Sequence, residues 1–232
     1  MNPDFLDQFA RVSDAQGAEV ARRLEAGESA RAVADSMKLD PAGFVAAIAR
    51  FALGPDGSEG VPLVQGSPVH PRLAGALAEE STIAELFPRA SRPDRLALAA
   101  GLLQILDAWD AGHAAAQEAD DLGETATSAA WHMIAHRREP DFGNARYWER
   151  RVDSRRAFAP RADLAAPMLQ APEADPSWAG RLIDGSSGGW NPSAMIALCG
   201  QVAPESAQGA VARRLQRLEM LVLLGKSTAL GD

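Results

Sequence analysis

The sequence predicts an all-α protein, an irregular helical bundle, and three observations support this fold class. Alanine and leucine are abundant whereas aromatic residues make up only 6%, a composition that does not suit a β-rich fold. No segment shows the sustained alternation of apolar and polar residues that marks a half-buried strand. Apolar residues instead recur at helical spacing, as in Leu96, Leu103 and Leu106. With 232 residues, 47% of them hydrophobic, the chain can form one domain with a small additional module.

The first 54 residues are expected to form that module from short helices. Asp40 followed by Pro41 is typical of a helix start. Residues 27–51 resemble a helix-turn-helix unit of the kind found in DNA-binding regulators. However, residues 1–54 hold six basic and eight acidic side chains, and a DNA reader needs an excess of positive charge. We therefore expect a packing or docking module, and a transcriptional regulator is the less favoured alternative.

The remaining chain divides into a linker and a main domain. Residues 55–71 are rich in glycine and proline and are interpreted as a linker, so that residues 72–232 form the main helical domain. The segments predicted there, in chain order, are a long helix from near Pro93 that extends through His113, a helix over about 125–138, a helix over 142 to about 152 capped by Asp141, a proline-broken stretch over 159–176, a glycine-rich loop over 184–189, and helices over 191–202 and 206 to about 225.

Charge and composition exclude several classes of function. The net charge of −8 disfavours nucleic acid as a partner. No apolar run approaches the roughly 18 residues of a membrane span, and the acidic start of the chain lacks the apolar region of a signal peptide. Cys199 is the only cysteine, so no intrachain disulfide forms. These features favour a cytoplasmic protein, and they leave the oligomeric state open.

Three histidines form the main candidate for a functional site. His132 and His136 are four residues apart and share one face of a helix. Glu139 lies two turns after His132 and joins that face if the helix extends so far. On the preceding helix, Asp110, His113 and Gln117 fall within one arc, and the short link over 119–124 allows the two helices to fold back on each other. We therefore expect these six side chains to meet.

Two interpretations of this cluster remain open. In the first, His113, His132 and His136 bind a divalent metal such as zinc, nickel or iron, and Glu139 or Asp110 acts as a further ligand or as the general base for a metal-bound water. In the second, each histidine is held by a carboxylate in a buried hydrogen-bond network that only fixes the helix pair.

Arginines cluster in the segment that follows the histidines. Eight arginines and five acids give residues 131–163 a local charge of +3. Arg137 or Arg138 is expected to orient an anionic ligand through forked hydrogen bonds. The alternative is a solvated helix face whose arginines pair with Glu149 and Asp153. Asn144 and Tyr147, together with Gln117, complete the predicted ligand-binding residues. The aromatic rings of this segment are expected to belong to the core and not to form a stacking platform for a ligand. These rings are Trp131, Trp148 and that of Tyr147 itself.

The same segment resembles a bacterial and fungal family of uncharacterised helical proteins. Its pattern is D-x-x-H-x-x-x-Q followed by W-H-x-I-x-H-R-R-E-x-D-x-x-N-A-x-Y-W-x-R-R. The positions that carry the resemblance are Asp110, His113, Gln117, Trp131, His132, Ile134, His136, Arg137, Arg138, Glu139, Asp141, Asn144, Ala145, Tyr147, Trp148, Arg150 and Arg151. A later W-D-P motif of the family is replaced here by Trp190-Asn191-Pro192. The resemblance implies that the histidine cluster is a feature of this type of protein, but it implies no particular reaction.

Two weaker resemblances complete the functional hypotheses. Residues 141–151 are similar to the second helix of a tetratricopeptide hairpin, although one hairpin is too few for a solenoid. The three histidines are similar to those of DinB-like metal-dependent helical bundles, but with a different spacing. The leading hypothesis is a pocket for a small polar or anionic ligand, with a divalent metal and hydrolytic activity as its enzymatic form. The alternative is a tetratricopeptide-like interaction scaffold with a structural histidine network.

Overall fold

A computed structural model describes residues 5–55, 57–123, 127–152, 162–183 and 189–229. Within these ranges the chain forms helices and no sheet, and a single isolated bridge joins Ile183 to Trp190. The predicted all-α class is therefore confirmed. In chain order, the helices are α1 (Phe5–Arg11), α2 (Asp14–Glu25), α3 (Ala30–Met37), α4 (Pro41–Leu53), α5 (Pro71–Ala78), α6 (Glu80–Leu86), α7 (Arg92–Ile105), α8 (Trp109–Asp121), α9 (Ser128–Arg138), α10 (Phe142–Glu149), α11 (Ala162–Leu169), α12 (Trp178–Leu182), α13 (Pro192–Cys199) and α14 (Ala207–Thr228).

Side-chain caps determine where many of these helices begin. Asp40 accepts a hydrogen bond from the backbone of Gly43 at the start of α4, and Asn191 does the same for Ala194 at the start of α13. In both cases a proline occupies the first helical position, where no intrahelical N–H is needed. Asp141 caps α10 through the backbone N–H of Asn144. The helix starts predicted at Asp40, Asp141 and Asn191 are thus confirmed.

The single long helix predicted from Pro93 through His113 is wrong, because the chain breaks it into α7 and α8. Asp107 lies in the break with a φ of 59°, a left-handed conformation that aspartate tolerates better than most residues. Its carboxylate turns into the protein, where it binds the guanidinium of Arg138 and accepts from the backbone N–H of Gly66. The break therefore supplies the buried counter-charge of Arg138.

The structure also changes two predicted loops. Part of the stretch expected to be broken by proline is helical, since α11 contains Pro167. Most of the predicted glycine-rich loop, residues 184–188, lies outside the described residues. The predicted linker contains buried side chains, Val61 and Leu63, and the backbone N–H of Gln65 donates to the carbonyl of Arg138. The linker is thus partly integrated into the main domain.

One apolar core joins the N-terminal helices to the later ones. α4 packs against α1, α2, α7 and α14, and α1 also contacts α14. Buried side chains of α4, such as Phe44 and Ile48, belong to the same cluster as Leu102 of α7 and Leu224 of α14. The predicted division at residues 54 and 71 stays a prediction, but the first four helices do not have a core of their own.

Helix α9 is the most enclosed element near the histidines. Every residue from Ser128 to Arg138 is buried, because α7, α8 and α10 all pack against this helix. Gly101 of α7 makes the closest of these approaches possible, since a Cβ there would lie 2.6 Å from Cε2 of Trp131. The consequence is that His132 and His136 project into the protein rather than onto its surface.

No helix of the described chain combines the length and the apolar character that crossing a membrane requires. This agrees with the sequence prediction of no transmembrane span. The cellular compartment stays a prediction.

Candidate metal centre

His113, His132 and His136 meet as predicted, with their Nε2 atoms pointing at one another. The Nε2 atom of His113 lies 3.0 Å from that of His132 and 3.3 Å from that of His136. α8 supplies His113 and α9 supplies the other two, so the helix pair forms the cluster. These separations are close to the edge of a tetrahedron, about 3.3 Å, that results from metal–nitrogen bonds of about 2.0–2.1 Å. The three imidazoles can therefore hold one metal ion.

Carboxylates contact two of these rings at Nδ1, the nitrogen that faces away from the centre of the cluster. Nδ1 of His132 lies 3.1 Å from Oδ2 of Asp120, and Nδ1 of His136 lies 2.9 Å from Oε2 of Glu139. A carboxylate accepts hydrogen bonds, so each Nδ1 carries a hydrogen, and in the neutral form of the ring Nε2 has the lone pair. This tautomer is assigned from the hydrogen-bond network. Metal-binding histidines usually have such a partner on the ring nitrogen that faces away from the metal.

The lone pairs at the centre of the cluster can be satisfied in two ways. The Nε2 lone pairs of His132 and His136 both face Nε2 of His113. This nitrogen carries at most one hydrogen and can donate to only one of them at a time. The amide of Asn144 lies 3.0 Å from Nε2 of His136 and can satisfy one further lone pair. A single metal ion satisfies all three ring nitrogens at once. A closed hydrogen-bond network, with His113 and Asn144 as donors, satisfies the lone pairs of His132 and His136 as well, so the cluster fits both interpretations.

His113 is held differently from the other two histidines. Its ring stacks on the indole of Trp109, with centres 4.9 Å apart and planes 14° apart, and the indole N–H of Trp109 donates to the carbonyl of Ala135 at 2.8 Å. Burial lowers the pKa of His113, and the neighbouring imidazoles of His132 and His136 lower it further. The ring is therefore neutral at neutral pH, which is the form that binds metals.

Helix α10 covers the cluster from a second side. Trp148 stacks on the ring of His132 with centres 3.8 Å apart, and Asn144 contacts His136. The role of Asn144 as a ligand-binding residue stays a prediction. The amide nitrogen of Asn144 lies 3.0 Å from Nε2 and 3.3 Å from Nδ1 of His136.

The predicted proton-transfer residues do not reach the Nε2 side of the cluster. Glu139 accepts a hydrogen bond from Nδ1 of His136, so it orients this ring. Asp110 is exposed and lies at a groove of about 330 Å³ that Trp109 also borders. Its negative charge raises the pKa of His113 slightly, against the larger effect of burial. Neither carboxylate is thus positioned in this structure as a general base at a metal-bound water.

Gln117 and Tyr147 also lie apart from the ring nitrogens. Gln117 donates to the carboxylate of Asp121 at 3.0 Å. Tyr147 is 42% exposed, so its assignment to the core is wrong, and its hydroxyl accepts from Arg151. Trp131, by contrast, is fully buried and donates to Ser227, as expected of a core residue.

Arg137 and Arg138 do not face the histidines. Arg137 forms a fully buried ion pair with Glu219, which also accepts from the indole of Trp190 at 2.8 Å. Arg138 forms its ion pair with Asp107 on the other side of the helix. Both arginines follow His136 directly, and one residue of a helix is a rotation of 100°. Their guanidinium groups therefore stabilise the packing of α9 instead of orienting a ligand at the cluster.

Sequence reasoning missed Asp120 and Trp109. Asp120 lies seven residues after His113, so it shares the helix face of this histidine, and Ser128 donates to its second oxygen at 2.5 Å. The spacing rule that selected Glu139 would have selected Asp120 as well, had the helix been extended to residue 121. Trp109 gave no such signal, because an aromatic residue three positions after Leu106 only continues the apolar spacing of this segment.

Comparison of the chain with protein-family models, with curated proteins and with solved structures gives no match in any of the three. The resemblance to the uncharacterised helical family and the similarity to tetratricopeptide hairpins thus stay predictions. The histidine cluster and its chemistry are therefore the basis for a function.

Proposed function

We propose that this protein binds one divalent transition metal ion, with zinc as the best fit, through Nε2 of His113, His132 and His136. The observation that supports the proposal most directly is the convergence of the three Nε2 atoms at 3.0 and 3.3 Å. Three neutral imidazoles suit zinc, and three protein ligands are the number found in catalytic rather than structural zinc sites. A coordination position then remains for water or substrate.

The activity that fits such a centre best is hydrolysis. A bound metal ion lowers the pKa of its water and polarises the bond to be cleaved. Asn144 would donate a hydrogen bond to an oxygen in the open position, because its amide lies 3.0 Å from Nε2 of His136. Asp120 and Glu139 would orient their histidines and increase their basicity. No protein carboxylate is assigned as general base.

Metal content tests this proposal. The protein is produced without an affinity tag, stripped with a chelator, dialysed and titrated with Zn²⁺ and Co²⁺. We expect about one ion per chain, and we expect H132Q and H136Q to lose it. His70 supplies the matched control, because it lies outside the cluster against Phe51, and H70Q should bind the metal normally.

Two results of the titration would contradict the proposed metal binding. No uptake of either ion, or an uptake that H132Q and H136Q leave unchanged, refutes it. A large loss of melting temperature in both variants without any metal uptake would favour the scaffold alternative, since α9 is buried throughout. Hydrolysis is tested with ester, amide and phosphoester probes, and an activity that chelation does not abolish contradicts the metal-dependent mechanism.

A further inference from the structure

We propose that Arg151 binds the anionic group of the substrate, so that the metal centre acts on molecules with a carboxylate or phosphate at some distance from the reacting bond. This inference rests on the proposed function. Arg151 lies two residues beyond α10, the helix that brings Asn144 and Trp148 to the histidines.

Arg151 is held in one orientation although it is exposed. Its guanidinium carbon lies 3.6 Å from the centre of the Tyr147 ring. Its two terminal nitrogens donate to the hydroxyl of Tyr147 at 2.6 Å and to the carbonyl of the same residue at 3.2 Å. A long side chain fixed in this way loses little entropy when it binds a ligand.

The positive charge of Arg151 is not neutralised by any acid that the structure describes. Within the described residues, no carboxylate lies within 4.0 Å of Arg151, and Glu149 forms no ion pair. The predicted pairing with Glu149 is therefore not formed by Arg151, and the other predicted partner, Asp153, lies outside the described residues. Further N–H groups of the guanidinium remain for an anion, which it can bind through a fork.

Two successive contacts link Arg151 to the histidine cluster. The guanidinium carbon lies 5.4 Å from the Trp148 ring, and this ring lies 3.8 Å from that of His132. Only one aromatic side chain thus separates the arginine from a metal ligand. Arg137 and Arg138 cannot bind the anionic group of the substrate, because each forms a buried ion pair.

The test uses hydroxamates that bind the metal at one end. A series carries a terminal carboxylate after three to eight methylene groups, and the methyl ester of each compound serves as its neutral counterpart. Affinity for the Co²⁺-loaded protein is measured from the visible spectrum of the ion. At the best chain length we expect the acid to bind at least about tenfold more tightly than its ester, as a charge-assisted hydrogen bond would produce.

Variants show whether this preference depends on Arg151. R151Q should reduce the ratio of acid to ester affinity to about one, while Co²⁺ itself binds as before. The matched control is R146Q, because Arg146 is exposed, contacts the carbonyl of Phe142 and lies on the other side of α10 from Trp148. It should retain the preference.

Two failures are distinguishable. If Co²⁺ produces no protein-dependent spectrum, the proposed metal centre is wrong, and this inference loses its basis. If Co²⁺ binds but the wild-type protein shows no preference for the acid at any length, or R146Q reduces the preference as strongly as R151Q, the role of Arg151 is refuted while the metal centre stands.

Discussion

Oδ2 of Asp120 lies 3.1 Å from Nδ1 of His132, and this contact fixes which nitrogen of the imidazole faces the centre of the cluster. Asp120 is itself oriented by Ser128, which donates to Oδ1. Asp120 lies at the end of α8, and Ser128 is the first residue of α9. The hydrogen-bond chain connects the helix pair at the point where the ligands converge.

Asp120→Asn should weaken metal binding by about 10–100-fold, the usual effect of losing an outer partner of a metal-binding histidine. The amide is a poorer acceptor than the carboxylate, so the ring of His132 is less well oriented and less basic. Isothermal titration with Zn²⁺ measures the change. Asp121→Asn is the matched control, because Asp121 is exposed and bonds to Gln117. Equal affinities for the two variants would contradict the role of Asp120.

Local patterns predicted much of the fold and of the cluster. The i,i+4 spacing of His132 and His136 was sufficient to place both rings on one face, because α9 continues without a break. The caps at Asp40, Asp141 and Asn191 were also recognisable, since each is a polar side chain followed by a favourable helix start. These features depend on residues that are near in sequence.

Features that depend on distant residues were not predictable. The break at Asp107 results from its pairing with Arg138, 31 residues later, and Glu219 pairs with Arg137 across 82 residues. A single sequence does not indicate which acid faces which arginine. For this reason the sequence predicts ligand binding by the arginines next to His136 and does not distinguish Arg151 from its neighbours.

Gly101→Ala should destabilise the protein by about 1–3 kcal/mol, the usual cost of adding a methyl group to a packed core. The new methyl group would overlap the ring of Trp131, which is fully buried. Gly75→Ala, in α5, is the control because its new methyl group would extend into open space, and alanine should stabilise a helix by about 0.5–1 kcal/mol. Urea unfolding measures both. If Gly101→Ala leaves the free energy of unfolding unchanged, α7 and α9 are less closely packed than the structure indicates.

Glu219→Leu should cost about 3–5 kcal/mol, because it leaves the charge of Arg137 buried without its carboxylate. The double variant Arg137→Met/Glu219→Leu removes both charges and should recover most of this loss. Urea unfolding measures the free energies, and Zn²⁺ titration should give unchanged affinity in the double variant. A metal site lost together with this pair would indicate that Arg137 contributes to the histidine cluster after all.

Cys199 should react slowly with thiol reagents in the folded protein. Burial raises the pKa of its thiol to about 11, so very little of the reactive thiolate is present at pH 8. The reaction with a chromogenic disulfide should become fast when urea unfolds the chain, and this rate measures opening of the region around α13. Rapid modification of the native protein at pH 8 would show that the thiol is accessible and ionised.

Metal-free protein should lose stability as the pH falls below about 6.5, the usual pKa of histidine, and His113 should contribute to this loss. Burial lowers the pKa of His113 in the folded state, so the unfolded chain binds the proton more readily between the lowered value and 6.5. The contribution of His113 is thus complete above 6.5 and disappears as the pH falls toward the lowered pKa. Urea midpoints at pH 7.5, 6.5 and 5.5, measured with a chelator present, should decline less steeply for H113Q than for wild type. Identical slopes would mean that His113 titrates as it does in an unfolded chain.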